Sequence, residues 1–391
     1  MDILDLKWSR VTNCPRAYTR RVNPLAYDPS WAAGRITFCP VIEAYDLHHH
    51  TEPPLGFRMP AEWEPHEATW LAWPHEITDW PGKFSPIPWV YGEIVRHLSR
   101  VERVRILVEN AYAEEKARRV LRKCRAQMEA VQFFHVPTDR SWTRDYCPMF
   151  VRNAEGERGI LNWRFNGWAK YANSERDDAV TEAVAAELGF PARTPVWNGR
   201  RIVLEGGSID VNGAGRVLTT EECLLSDVQA RNPGLTRRDV ERIFRDYLGA
   251  PQTLWLRNGI AGDDTHGHID DLARFTDAET VVIASEEDPS EANYEPLKEN
   301  LALLSRMPLR VETLPMPEPI FFDGQRLPAS YANFYIANSL VLVPTFNDAN
   351  DRVALNKVAE LFPDREIVGI ASSDLVLGLG TLHCMTQQQP A

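Results

Sequence analysis

Apolar positions along the chain recur with two different spacings, and the two spacings alternate from about residue 57 onward. Short runs in which most positions are apolar, such as 67–74 and 104–110, predict buried strands. Runs with apolar residues three and four positions apart, such as 88–101, predict amphipathic helices. Strands that alternate with helices in this way are typical of an α/β fold.

The same alternation returns in the second half of the chain. Further predicted helices cover 111–128, 237–249, 293–307 and 351–363, and further predicted strands cover 280–287 and 339–348. Two runs, 216–225 and 340–348, both pass from apolar residues into a polar turn that precedes a helix. Their likeness indicates a repeated strand–helix unit.

The first 56 residues differ from the rest in composition and in the spacing of apolar positions. They are rich in turn-forming residues and lack clear periodicity, so we expect an irregular leader at 1–56. His48, His49 and His50 could bind a metal, but a polar loop is favoured because no acid or cysteine is spaced to complete a site. Met59 would serve as a start codon, and a chain that begins there is expected to fold and to remain active.

Composition and charge narrow the class of protein. The 391 residues are 44% hydrophobic and 25% charged, with a formal net charge of -12. An acidic chain is poorly suited to nucleic acid or an anionic membrane and better matched to a small cationic ligand. The chain carries no apolar run of membrane-spanning length and no secretory signal, and its six cysteines form no CxxC pair. We therefore expect a cytoplasmic protein with reduced thiols and leave a homo-oligomer open.

Three polar clusters interrupt the alternation, at 138–151, 203–211 and 259–275. In the third cluster, strand spacing would place His268 and Asp270 on one face. Its histidines and aspartates could form a metal site, but the chain has no HExxH motif and no clustered cysteines, so a metal is not favoured. A solvated acidic loop is the other interpretation.

Cys384 makes a fourth candidate, seven residues from the end. A lone cysteine is usually an inert small residue, but a catalytic thiol requires a histidine, which His268 would supply. Carboxylates around a thiol suit a cationic substrate, and a guanidinium is planar and can be held by paired carboxylates. Trp142 could stack on such a cation or be a core aromatic, and Asp145 could bind it or pair with Arg144.

The sequence resembles the agmatine deiminase branch of the guanidino-group modifying enzymes, which is close to the bacterial peptidylarginine deiminases. The matching runs follow one order over about residues 57–391 and are MPAEWEPHEATWLAWP, SWTRDYCPMFV, WRFNGWAKY, VLEGGSIDVNGAGRVLTTEECLL, GDDTHGHIDDLARF, ASYANFYIANSLVLVP and GTLHCMTQQQP. The resemblance implies a pseudo-fivefold α/β propeller (a pentein) in one domain, 57–391, instead of the two or three domains that length suggests. It also implies that the last strand brings Cys384 to the centre.

The resemblance assigns roles residue by residue. Cys384 would be the nucleophile and His268 the general acid and base, while Asp145 and Asp270 would hold the guanidinium. Four further residues would bind or support the substrate: Trp142, Glu205, Asp264 and Asn333. His383 is expected only to pack, because neighbouring residues on a strand point to opposite faces.

Three runs of the sequence depart from the family pattern. The usual DET reads DDT at 263–265, the usual GGGNIHC reads GLGTLHC, and the usual FNAWGG reads FNGWAKY. The shorter acid Asp264 and the additional Lys170 are expected to change how the far end of the substrate is held.

The resemblance implies hydrolytic deimination of agmatine to N-carbamoylputrescine through a covalent adduct on Cys384, without a cofactor or a metal. Alternatives within the same fold are a deiminase of free arginine, peptidylarginine or another guanidino metabolite, and an amidinotransferase. An alternative of another class is a binding protein that keeps the cationic pocket but makes no product.

Overall fold

The computed structural model describes residues 51–391. In this part of the chain the α-helices are α1 (Ile87–Leu98), α2 (Ala111–Lys123), α3 (Thr143–Tyr146), α4 (Glu175–Leu188), α5 (Glu221–Leu225), α6 (Arg237–Leu248), α7 (Tyr294–Leu304) and α8 (Asp351–Leu361). Short 3-10 helices cover Ile77–Asp79, Met128–Ala130, Gly206–Ser208, Ile269–Asp271 and Leu375–Gly378.

The strands of the described residues, in chain order, are β1 (His66–Ala72), β2 (Arg103–Val108), β3 (Val131–His135), β4 (Met149–Arg152), β5 (Arg158–Leu161), β6 (Ala192–Arg193), β7 (Val196–Trp197), β8 (Arg200–Arg201), β9 (Asp210–Val211), β10 (Arg216–Thr220), β11 (Gln252–Leu256), β12 (Ala273–Phe275), β13 (Thr280–Ser285), β14 (Arg310–Pro315), β15 (Phe321–Phe322), β16 (Gln325–Arg326), β17 (Tyr335–Ile336), β18 (Leu340–Thr345), β19 (Glu366–Ala371) and β20 (Gln387–Pro390). The predicted strands and helices are confirmed as a mixed α/β fold.

Four of the sheets repeat one topology. A short strand pairs antiparallel with a central strand, and the chain then passes through helix to a third strand that lies parallel to the central one. The repeats are β4–β5–β6, β9–β10–β11, β12–β13–β14 and β17–β18–β19. The likeness between 216–225 and 340–348 therefore reflects equivalent central strands, β10 and β18.

The first sheet is completed by the end of the chain. Its order is β20–β1–β2–β3, in which β1 lies parallel to β2 and antiparallel to β20. Strand β20 thus takes the place that the short opening strand holds in the other four sheets. These five sheets share the antiparallel opening pair and the parallel pair that follows it, and the first adds a further parallel strand, β3. The described residues also form two separate two-stranded sheets, β7–β8 and β15–β16.

The helices end where local backbone chemistry requires it. Helix α6 begins with a capping box in which Thr236 and Asp239 satisfy each other's backbone donors, and it ends at Gly249 in the left-handed conformation. Helix α2 ends at Lys123, five residues before the predicted end at Met128. Arg125 has a φ of 64°, which an α-helix cannot continue through.

The buried side chains form three clusters, each between sheets and the helices that cover them. The largest joins Trp70 of β1 to Val343 of β18, the second surrounds Phe244 of α6, and the third surrounds Ile283 of β13. None of the helices in residues 51–391 is long and apolar enough to cross a membrane.

The predicted leader lies mostly outside the described residues, as do His48, His49 and His50. Where the description begins, the Tyr247 hydroxyl donates to the Thr51 carbonyl over 2.6 Å. Arg58 exchanges two backbone hydrogen bonds with Arg152, of 2.9 and 2.8 Å. A chain that begins at Met59 would lose both contacts. A chain that begins at Phe57 removes residues 1–56 and keeps the Arg58 hydrogen bonds, so it tests the prediction that residues 1–56 are dispensable.

The glutamines of the last strand are buried side chains with specific partners. Gln389 is fully buried, and its Oε1 accepts hydrogen bonds from Trp70 Nε1 at 2.9 Å and from Arg105 Nη1. The side chain of Gln388 accepts from Arg144 Nη1 at 2.6 Å. The run of amides therefore fastens the end of the chain into the first sheet.

We predict that Gln389→Ala lowers the free energy of unfolding by about 1–3 kcal/mol, because it leaves two buried donors without an acceptor. The matched control is Gln252→Ala, which removes an amide that accepts from Arg216 on the exposed edge of β11 and should cost less than about 0.5 kcal/mol. Urea unfolding measures both variants. Equal stability of the two would contradict the role assigned to Gln389.

Candidate active site

A cavity of about 370 Å³ opens beside the terminal cysteine. Four of the residues predicted for the site line it: Trp142, Asp145, Asp264 and Cys384. The other four predicted residues are fully or almost fully buried around its inner end: Glu205, His268, Asp270 and Asn333. The structure therefore brings together side chains as far apart in the sequence as Trp142 and Cys384.

Each of the five sheets supplies one segment to this inner end. The segment always comes a few residues before the short strand that opens its sheet. The pairs are Asp145 before β4, Glu205 before β9, His268 and Asp270 before β12, Asn333 before β17, and Cys384 before β20. The equivalent positions explain how a repeated topology gathers five unrelated motifs.

Cys384 lies in a turn that precedes the last strand. The prediction that the last strand carries Cys384 was wrong, because β20 begins only at Gln387 and the glutamines form it. Asn333 Nδ2 donates to Cys384 Sγ over 3.0 Å, and Asn333 Oδ1 accepts from the Thr381 hydroxyl at 2.7 Å and from His383 N at 3.0 Å. Asn333 thus positions the turn that presents the thiol.

His268 lies at the start of the 3-10 helix Ile269–Asp271 and not on a strand, so the strand spacing predicted for His268 and Asp270 was wrong. The tight helical turn nevertheless keeps the two together. His268 Nδ1 lies 3.9 Å from Asp145 Oδ1 and 3.9 Å from Asp270 Oδ1, and Nε2 lies 3.8 Å from Glu205 Oε2. These distances are those of ion pairs and are longer than hydrogen bonds.

Gly207 permits this approach. A Cβ atom at that position would lie 2.5 Å from His268 Nδ1 and 2.9 Å from Asp145 Oδ1, so any side chain would push the pair apart. The Gly207 amide also donates to Asp145 Oδ1 over 2.9 Å, and Trp168 Nε1 donates to Asp145 Oδ2 over 2.8 Å. Asp145 is held by these donors and makes no ion pair with Arg144, which binds Glu62 at 3.1 Å.

The surrounding charges set the protonation of the site. Burial raises the pKa of Asp145 to about 6, assisted by the neighbouring Asp270 and Glu205 and opposed by His268. Burial alone would raise the pKa of Glu205, but Arg231, 3.0 Å from its Oε1, and His268 outweigh it and leave the pKa at about 2. Burial would lower the pKa of His268, but Asp145 first and Glu205 with it raise that pKa well above its usual value.

The thiol is shifted toward its neutral form. Burial and then the carboxylates of Asp270, Asp271 and Asp145 raise the pKa of Cys384 well above its usual value. Cys384 Sγ lies 3.6 Å from Asp270 Oδ2. At neutral pH the site thus combines a neutral thiol, a protonated imidazole and ionised carboxylates.

His383 does more than pack. Its Nδ1 lies 2.7 Å from Asp270 Oδ2 and its Nε2 lies 2.8 Å from Glu62 Oε2, so it bridges two buried carboxylates. Burial would raise the pKa of Asp270, but the hydrogen bond with His383 and the charge of His268 outweigh it and hold the pKa below its usual value. The expectation that His383 only packs was wrong, since its turn lets it reach an acidic neighbour of the thiol.

The outer wall of the cavity carries two acids with partners. Trp142 packs on Trp80 with ring centroids 5.4 Å apart and donates from Nε1 to Asp79 Oδ2 over 3.2 Å, while Arg140 binds Asp79 Oδ1. Asp264 accepts from the Tyr171 hydroxyl at 2.8 Å and from Lys170 Nζ.

The run GLGTLHC, which departs from the family pattern GGGNIHC, also contributes to the wall of the cavity. Leu379 replaces the glycine of the family pattern, lines the cavity and has a φ of 67°, a left-handed conformation that is rare for a leucine.

Two trios of potential metal ligands lie in the described residues, with ligand atoms within 4.8 Å of one another: Glu205 with Cys223 and His268, and Asp270 with Asp271 and Cys384. In the first trio the carboxylate already pairs with Arg231 and the histidine is protonated, and both features oppose a divalent cation. The absence of a metal from the reaction stays a prediction.

Several residues of the site were not predicted from the sequence. Arg231, Asp79 and Arg140 lie outside the matching runs, and Glu62 lies inside MPAEWEPHEATWLAWP but was given no role. All four have partners far away in sequence. Trp168 lies within the matching run WRFNGWAKY, and its donation to Asp145 could have been proposed from that run.

Comparison with known proteins agrees with this geometry. Residues 58–390 match the family of Porphyromonas-type peptidyl-arginine deiminases. The agmatine deiminase of Pseudomonas aeruginosa strain LESB58 is 34% identical over 367 residues, which span 86% of this chain and 96% of the relative.

Solved structures are similar over the same extent. An agmatine deiminase of Enterococcus faecalis has a TM-score of 0.78 at 32% identity and covers 86% of this chain and 96% of its own. A Cys-to-Ser variant of C. jejuni agmatine deiminase with substrate bound has a TM-score of 0.78 at 30% identity, with the same coverage. The chain therefore belongs to the Porphyromonas-type peptidyl-arginine deiminase family.

Proposed function

We propose that the protein hydrolyses the guanidinium group of a small cation, with agmatine as the substrate and N-carbamoylputrescine and ammonia as the products. The observation that carries the proposal is the arrangement around the thiol: Cys384 lies beside Asp270, and His268 lies within 4 Å of three carboxylates. The names of the similar proteins support agmatine as the substrate.

The charge around the thiol favours a guanidinium. Glu205 pairs with Arg231, and burial and then Asp270 raise the pKa of Asp271 well above its usual value, so that Asp271 is neutral. The charged groups that remain around the thiol are therefore the carboxylates of Asp145 and Asp270 and the imidazolium of His268. This set carries one negative charge in excess, which a bound guanidinium would neutralise. Each carboxylate can accept two hydrogen bonds from the planar group, and Trp142 provides an aromatic surface on the cavity wall.

The same charge explains how the thiol becomes reactive. In the free enzyme the carboxylates oppose ionisation of Cys384. A guanidinium between Asp145 and Asp270 offsets those charges and favours the thiolate, with the proton released to solvent. The thiolate then adds to the guanidinium carbon and forms a C–S bond. His268 donates its proton to an amino group, the C–N bond breaks, and ammonia leaves.

Hydrolysis of the adduct returns the enzyme to its starting state. After ammonia leaves, His268 is neutral and can accept a proton from water as the water oxygen attacks the same carbon. The C–S bond then breaks, and the hydroxyl proton of the intermediate passes to the departing sulfur, so Cys384 returns to its neutral thiol and the neutral ureido product leaves. The oxygen of the product thus comes from water, and no redox step is required.

The repeated topology supports a finer statement about the fold. We infer that the five sheets surround the site as a pseudo-fivefold α/β propeller within one domain, because each contributes the equivalent segment to it. We also infer a cytoplasmic protein, since the sparse cysteines form no framework.

The raised pKa of Cys384 predicts slow alkylation of the free enzyme. A raised pKa means that the neutral thiol predominates at pH 7 and that the thiolate fraction grows as pH rises. We expect the rate of iodoacetamide modification at Cys384, followed by peptide mass spectrometry, to rise about tenfold per pH unit through pH 9. Glutathione is the control and should level off near an ordinary thiol pKa of about 8.5. A plateau for Cys384 below pH 8 would contradict the charge argument.

Cys384→Ser should reduce ammonia release by at least about a thousandfold, because an alcohol is a far weaker nucleophile at neutral pH. Thermal unfolding should show that the variant stays folded. Cys124→Ser, at the end of α2 and away from the cavity, is the matched control and should retain activity. In single turnover, mass spectrometry should find one substrate molecule less ammonia on Cys384. Near-normal turnover by Cys384→Ser would rule out the covalent route.

Agmatine should be preferred over free arginine by at least about tenfold in kcat/KM, roughly 1.4 kcal/mol. Arginine carries an additional carboxylate, and Arg140, the cation among the lining residues, is already bound to Asp79. The carboxylate would thus lose water without gaining a partner. Initial rates of ammonia release decide the point. A preference for arginine would exclude agmatine as the substrate and leave deimination intact.

A further inference from the structure

We propose that Lys170 is a specificity-determining residue that binds Asp264 and so weakens the selection for an ammonium group at the far end of the substrate. The inference rests on the proposed function. It implies that the cavity also accepts guanidino compounds whose far end is an uncharged alkyl group.

Asp264 is the acid placed to meet the far end of a substrate. It lines the same cavity as Cys384, and its side chain is only 14% exposed. Its two oxygens are bound separately, Oδ1 by Lys170 Nζ and Oδ2 by the Tyr171 hydroxyl at 2.8 Å. Lys170 is not among the residues that line the cavity. It neutralises Asp264 without occupying the space that a substrate would fill.

The backbone fixes Lys170 in this position. The amides of Lys170 and Tyr171 donate to the Gly167 carbonyl over 3.0 and 2.9 Å, and Gly167, Trp168 and Ala169 all have φ between 55° and 65°. A Cβ atom on Gly167 would lie 2.3 Å from the Tyr171 carbonyl oxygen, so the turn requires glycine. The same turn places Trp168 Nε1 on Asp145. One loop therefore links the acid at the reaction centre to the acid near the mouth.

The second acid near the mouth is also neutralised. Asp79 binds Arg140, and the Arg140 guanidinium lies 4.4 Å from the centroid of the Tyr171 ring. Lys170 Nζ lies 5.6 Å from the same centroid. The third lining acid, Asp145, belongs to the guanidinium end. A substrate ammonium that approaches Asp264 must therefore share the carboxylate with Lys170 and lie close to another cation.

The size of the effect is limited by solvent. The Lys170 side chain is 41% exposed, so water and salt screen its charge. We therefore expect a change of several-fold and not of several orders of magnitude. Removal of the lysine leaves the Tyr171 hydroxyl bound to Asp264, which keeps the carboxylate oriented.

The test compares agmatine with n-pentylguanidine, in which a methyl group replaces the ammonium. Lys170→Met should raise kcat/KM for agmatine about fivefold relative to n-pentylguanidine, because Asp264 becomes free to bind the ammonium. Lys170→Arg should keep the wild-type ratio, since it preserves the ion pair. The double variant Lys170→Met/Asp264→Asn should lose the gain, because both charges are gone. Lys298→Met, which removes an exposed lysine paired with Glu295 on α7, is the matched control and should change neither substrate.

Dissociation constants for the two guanidines, measured by calorimetry in the Cys384→Ser background, should change by the same ratio. An unchanged ratio in Lys170→Met would overturn the proposal. Equal losses for both guanidines would also overturn it, because they would mean that Lys170 only holds the loop. Failure of the proposed function would look different: the wild-type enzyme would release no ammonia from either guanidine.

Discussion

The ion cluster around His268 is the constraint on which the site depends. Three carboxylates lie within 4 Å of one imidazole, and all four side chains are at most 5% exposed. Buried charges are strongly unfavourable unless each has a partner, so the cluster exists only because other residues complete it. Arg231 neutralises Glu205, His383 binds Asp270, and Gly207 and Trp168 donate to Asp145.

The repeated topology supplies those partners. Each of the five sheets of three or four strands opens with a short strand, and the segment before that strand reaches the same inner end of the cavity. The polar groups are thus carried on turns and short helices, while the apolar strands behind them contribute to the three buried clusters. The last segment is anchored by the amides of β20, which bind Trp70, Arg105 and Arg144. The stability of the chain end and the position of Cys384 therefore depend on one short strand.

The periodicity of apolar residues was sufficient to predict the helices and strands, but it did not predict the geometry of the turns. Strands such as β13 and helices such as α8 could be predicted because the spacing of their apolar residues matches the period of the element. The segments of Cys384 and His268 were assigned strand geometry, although both lie in tight turns, because the apolar spacing says little about turns of three or four residues.

The recognised motifs identified the eight candidate residues, but not the residues that hold them. Arg231 binds Glu205 across 26 positions, and Glu62 reaches His383 across 321. Pairings of this kind join segments that are far apart in sequence, so they depend on how the sheets pack together, which no local pattern encodes. Lys170 is an example: the sequence showed that it departs from the family pattern, but only the structure showed that it binds Asp264.

In the proposed mechanism, the acids that favour a cationic substrate also suppress ionisation of the thiol that attacks it. Asp145 and Asp270 attract a guanidinium, and the same two charges keep the thiol of Cys384 protonated while the cavity holds no cation. We infer that a neutral electrophile would meet an unreactive thiol, whereas a bound guanidinium would favour the thiolate of Cys384. In this proposal, the site selects a guanidinium because binding of the cation and ionisation of the Cys384 thiol are coupled. The two events are coupled because both depend on the same buried carboxylates.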